Sequence, residues 1–109
     1  MKTTFYHFED EAIIVDVKVA LNNEELIFDG FDYGKKVKDS RGVSDEYEYS
    51  LSFDKENTRK FFELLGVSDK GDDDKLAVLK KKFGENGSIS VIKEYCDNNG
   101  IETKFFSWP

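Results

Sequence analysis

His7 and Cys96, the single histidine and the single cysteine of this chain, are the residues from which nucleophilic chemistry would be built first. Such a pair works when an imidazole lies close enough to a thiol to deprotonate it. His7 sits inside an aromatic, β-prone stretch, Thr3 to Phe8, and nothing in the spacing brings it to Cys96 or to any particular serine. Cys96 falls on the apolar side of a helical pattern beside Ile92, where a thiol behaves as a small hydrophobe with a raised pKa. His7 therefore reads as a packed or edge residue, and Cys96 as buried and inert. One Cys with one His makes neither a zinc site of the usual kind nor an internal disulfide.

The acids are the other candidates. With 23 Asp and Glu in the chain, any two could be drawn as a general acid and base, and none is singled out. Asp69, Asp72, Asp73 and Asp74 lack the ligand spacing and terminal Glu of an EF-hand loop. As acids opening a helix that ends on Lys80-Lys81-Lys82, they complement its dipole. The glycines of F-D-G-F-D-Y-G lack phosphate-loop spacing, and Asp29 and Asp32 would repel an anion. Neither enzymatic activity nor a metal or cofactor is expected.

Charge narrows the partners. The 23 acids face 16 Lys and Arg, a net charge of -7, which repels nucleic acid and anionic membranes and favours a basic protein. No apolar run is long enough to span a bilayer, and the N-terminal segment lacks the apolar stretch of a secretion signal. With the lone cysteine, this points to a cytoplasmic protein. The sequon Asn86-Gly87-Ser88 matters only if the chain is secreted.

The elements that position these residues follow from periodicity. The 109 residues suffice for one domain, 1–109, with one core, and ten Phe with five Tyr supply apolar area that a 39% apolar share would otherwise lack. Thr3–Phe8 reads as a strand. From Ala12 to Leu21, Ile13, Val15, Val17, Val19 and Leu21 alternate with Ile14, Asp16, Lys18 and Ala20, a second strand. Asn22-Asn23-Glu24 is a hairpin turn, because Asn tolerates positive φ, and Glu25–Asp29 is the third strand. Gly30 to Asp45, with its scattered glycines, reads as a long ordered loop in which Phe31 and Tyr33 either plug the edge of the core or form a surface.

From Ser44 an alternating strand places Tyr47, Tyr49, Leu51 and Phe53 on one face and Glu46, Glu48, Ser50 and Ser52 on the other. Asp54 caps a helix that buries Phe61, Leu64 and Leu65 and stops at Gly66. A second helix starts at Asp72 and carries Leu76, Leu79 and Phe83. A third starts at a Ser88 cap, bears Ile89, Ile92 and Cys96 with Val91 and Tyr95 beside them, and closes at Asn98-Asn99-Gly100. Ile101–Trp108 is the last strand, free to join any open edge. The expected fold is α+β: a mainly antiparallel sheet of four to five strands with about three helices, ordered β-β-β-β-α-α-α-β.

Three segments, L-I-F-D-G-F-D-Y-G at Leu26 to Gly34, S-D-E-Y-E-Y-S-L-S-F at Ser44 to Phe53 and G-I-E-T-K-F-F-S-W at Gly100 to Trp108, occur in an order that resembles a small, largely uncharacterised bacterial family. Some of its members look like immunity proteins of polymorphic or contact-dependent toxin systems. The resemblance implies a shared fold more than a shared partner; an immunity role also fits a small, acidic domain without catalytic machinery, whose charge suits a basic, nuclease-type toxin. The resemblance brings no functional residues to transfer. The residues themselves offer an acidic and aromatic surface, Asp29, Phe31, Asp32, Tyr33, Asp45, Glu46 and Glu48, as the partner-binding candidate, on a monomer or weak dimer. Two other readings stand beside it: a solvated face that only maintains solubility, and a protein- or small-molecule-binding module unconnected with any toxin.

Overall fold

Alternation and turn chemistry set the first half of the molecule. A computed structural model describes residues 2–34, 46–84 and 88–108. Four strands, β1 (Lys2–Glu9), β2 (Ile14–Asn22), β3 (Glu25–Tyr33) and β4 (Glu46–Ser52), pair antiparallel in sequence order. Three helices follow, α1 (Lys55–Leu65), α2 (Asp72–Phe83) and α3 (Ser88–Asn98), and then β5 (Lys104–Trp108) returns antiparallel to β4. The sheet order is β1-β2-β3-β4-β5, and the fold is α+β as expected. Joining β4 resolves the placement that the last strand's sequence left open.

The β2–β3 hairpin turns on Asn23 and Glu24, both at positive φ (53° and 65°). Two such residues make the tight turn whose twist matches its strands. At the helices, the Asp54 carboxylate accepts hydrogen bonds from the Asn57 backbone N–H (2.8 Å) and side-chain amide (2.9 Å), which hold its pKa below the ordinary value. Gly66 and Gly100 end α1 and α3 in the left-handed conformation, and the apolar residue after each is buried, Val67 and Ile101.

One face of the sheet carries Val15, Val17, Val19, Leu21, Leu26, Phe28 and Leu51, all buried beneath the helices. Aromatic rings thread this core from strand to helix: Phe5 meets Phe28 at 5.1 Å between centroids, Phe53 meets Phe61 at 5.2 Å, and Phe61 reaches Phe83 and Tyr95, each at 6.2 Å. Phe61 thus contacts the sheet side and the other two helices at once. Truncating such a ring to Ala costs about 3–5 kcal/mol.

Two expectations are corrected. α1 buries Phe61 and Phe62 with Asn57 and Thr58, while Leu64 is 46% exposed. The polar pair is buried because each side chain has a specific task. Thr58 Oγ1 accepts from the Leu26 N–H (3.1 Å), and Asn57 Oδ1 accepts from the Glu102 N–H (2.9 Å), which ties the helix start to the sheet. Val91, expected beside the buried residues of α3, is likewise 54% exposed. The second correction is that β3 runs through Gly30 to Tyr33, where a loop was expected. Gly30 lies opposite Tyr49, and the tyrosine ring occupies the space a β-carbon would need. The glycine makes room and does not turn the chain. The remainder of the expected loop, through Asp45, lies outside the described residues, as do the Ser88 side chain assigned as a cap and the sequon at Asn86.

Candidate functional site

Because successive side chains of a strand point to opposite faces, β3 and β4 divide the candidate residues between the two sides of the sheet. Leu26 and Phe28 point into the core, so Asp29, Phe31 and Tyr33 point the other way, onto the face that no helix covers among the described residues. Glu46 and Glu48 join them from β4, since Leu51 is in the core. Five of the seven expected residues therefore share one open face. Asp45 lies outside the described residues.

Asp32 belongs to the opposite side. The loop reading placed it beside Tyr33 on one surface, but within a strand the two alternate, and Asp32 accepts a hydrogen bond from the Tyr49 hydroxyl at 3.0 Å. Burial first, then the Asp32 carboxylate, hold that hydroxyl above its ordinary pKa. Asp32, half-buried like Phe31, anchors Tyr49 on the opposite side of the sheet from Tyr33.

The register makes the open face a lattice. Tyr33 pairs with Ile14 on one side and Glu46 on the other; Phe31 pairs with Asp16 and Glu48; Asp29 pairs with Lys18 and Ser50. The Phe31 and Tyr33 rings stack at 6.2 Å, only 9° from parallel. With strands about 4.8 Å apart, the carboxylates flanking Phe31 are separated by roughly 10 Å across the ring. Asp16 and Glu9 were missed as members of this face. The signal for Asp16 was present in its alternation against Val15 and Val17, but only the register brings the two acids to the site: Asp16 lies across from Phe31, and Glu9 across from Ile14, which itself pairs with Tyr33.

The charges are sorted along the strands. Glu9, Asp16, Glu46 and Glu48 gather at the Tyr33 end, while Lys2, Lys18 and Lys104 lie toward the other. His7 Nδ1 and Asp16 Oδ1 are 3.0 Å apart, and Lys18 reaches Asp16 at 3.5 Å and Thr4 at 2.8 Å. Lys2 stands 4.0 Å from Asp29. His7 is thus an exposed residue near the acids of β1 and β2, and Cys96 lies 0% exposed in the core with its thiol pushed up to about 12 by burial.

A separate cleft of about 820 Å³ opens where β4 passes into α1, lined in part by Asn22, Leu26, Phe53, Ile101 and Lys104. Asp54 in its wall is engaged in capping α1. No helix of the described residues is long and apolar enough to cross a membrane. Comparison with protein-family models, curated proteins and solved structures finds no match to this chain.

Proposed function

We propose that this protein is an antidote of the immunity type, which binds a basic, nuclease-like bacterial toxin through the open face of its sheet. The observation that carries this reading is the Phe31–Tyr33 stack set among Asp16, Asp29, Glu46 and Glu48 on a face left clear by the helices. Stacked aromatic rings supply contact area with little side-chain entropy to lose. Carboxylates around them attract Lys and Arg, and the faces of the rings accept the same cations. The lysines at the far end give the face a dipole that turns a basic cleft toward Phe31. The role is stoichiometric binding, without a catalytic step, cofactor or metal, in the cytoplasm.

The test is growth. The reading frame directly upstream of this one is induced in a naive bacterium, with and without this protein. Arrest that this protein alone relieves establishes the antidote; an upstream product that is harmless, or whose toxicity this protein does not relieve, contradicts it. A purified pair should associate more slowly as salt rises, because steering between opposite charges is screened.

The cleft of about 820 Å³ favours one second reading, a small-molecule-binding module. A ligand library that raises the melting temperature of the wild type, but not of a Thr103→Trp variant that fills the cleft, would support it.

A further inference from the structure

Among the described residues, β1 and β5 are the two edges of the sheet, and they are built differently. β1 is interrupted by a bulge between Thr4 and Tyr6 and carries Lys2, His7 and Glu9, devices that keep an edge from pairing. β5 keeps regular register with β4 from Lys104 to Trp108, bears one charge, Lys104, and leaves Phe105 and Phe106 42% and 58% exposed.

The direction of the backbone groups on β5 follows from its neighbours. The Phe53 N–H donates to the Leu26 carbonyl at 2.9 Å, so residues 49, 51 and 53 turn their polar groups toward β3, and Glu48, Ser50 and Ser52 turn theirs toward β5. Lys104, Phe106 and Trp108, paired with those three, face back to β4. The N–H and C=O of Phe105 and Ser107 therefore point away from the sheet, with no partner among the described residues.

We infer that this edge pairs with β5 of a second copy of the chain, antiparallel, with the two-fold axis at Phe106. Two outward-facing residues spaced two apart are self-complementary under that symmetry: Phe105 exchanges both hydrogen bonds with Ser107 of the second copy, and Ser107 with its Phe105, for four in all. Phe106 then lies across from its own copy on the open face, in the closer, non-hydrogen-bonded spacing that suits aromatic pairs. Lys104 lies across from position 108, so no like charges meet in the strand pair although each chain carries -7. Five residues of edge bury less than the roughly 1,000 Å² of a stable interface, so the dimer is weak and the continuous sheet forms at high concentration.

Sedimentation equilibrium of the intact chain from about 10 µM to about 1 mM tests this, a range set by the affinity of small interfaces. Ser107→Pro removes an outward N–H without touching the ladder to β4, and Phe106→Lys sets two ammonium groups at the axis. Circular dichroism checks that both variants keep the wild-type fold. The wild type should dimerise, and each variant should raise the dissociation constant at least about tenfold. A wild type that stays monomeric throughout, a dimer that persists in either folded variant, or open-ended polymers would overturn the inference. None of these outcomes depends on whether the protein binds a toxin.

Discussion

Gly30 and Tyr49 face each other across β3 and β4, and a β-carbon on Gly30 would fall within the Tyr49 ring. The ring lies over the glycine and carries its hydroxyl on to Asp32. Gly30→Ala must push the ring aside and break that bond. Overpacking of this kind costs about 1–3 kcal/mol. Urea denaturation should show a lower midpoint at an unchanged slope, and a midpoint equal to the wild type would mean that the ring is not held there.

Tyr49 also gives the fold a pH signature. Its hydroxyl titrates above the ordinary value because burial and Asp32 oppose the phenolate, so folding favours the neutral form. That contribution is complete below about pH 10, the ordinary phenol value, and is lost as pH rises from there through the raised one. Tyr49→Phe should cost about 1 kcal/mol at neutral pH, the value of one hydrogen bond. Above about pH 10 it should lose stability less steeply than the wild type, because the wild type must ionise a phenol that folding keeps neutral. Parallel pH profiles would contradict the assignment.

At the β2–β3 turn, Glu24 holds a φ of 65° that side chains other than Gly, Asn and Asp adopt reluctantly. Glu24→Gly should stabilise the protein by about 1 kcal/mol, the strain that a β-carbon brings in this region. A melting temperature that falls instead would mean that the Glu24 side chain makes a larger contribution elsewhere.

Where residues obey a single rule, the sequence disclosed them. Val15, Val17 and Val19 alternate and are buried; Asp54 and Gly66 bracket a helix, as a capping residue and a left-handed stop should. Legibility failed where two rules compete. Gly30 reads as the start of a loop because glycine serves both as a flexible joint and as a vacancy for a neighbour's ring, and only the pairing with Tyr49 decides between them. That choice put Asp32 on the wrong side and hid the continuation of β3. The exchange of Leu64 for Phe62 has a similar origin, since the apolar stripe of α1 is completed by Asn57 and Thr58, polar residues that become core only through bonds to Leu26 and Glu102. Of the candidate face, the acids of β4 were visible in strand alternation, whereas Asp16 and Glu9 required the register.

Cys96 supplies a probe of core opening. Its side chain is 0% exposed and its thiol is pushed up to about 12, so the native state should react with a thiol reagent only through opening. Labelling should be slow in buffer and accelerate with urea in step with unfolding. A native rate equal to that of the unfolded chain would place Cys96 at the surface.

Growth rescue from the upstream toxin by three forms of this protein tests most directly whether the open face neutralises it. These are the wild type, an open-face variant (Asp29→Lys, Glu46→Lys, Glu48→Lys) and a helix-side variant (Glu56→Lys, Glu63→Lys, Glu94→Lys), with circular dichroism to confirm that each is folded. The two variants carry the same change in net charge, so any difference between them reports which surface is used. If the open face binds the toxin, the wild type and the helix-side variant rescue growth and the open-face variant does not. Full rescue by the open-face variant, or no rescue by the wild type, would contradict this reading.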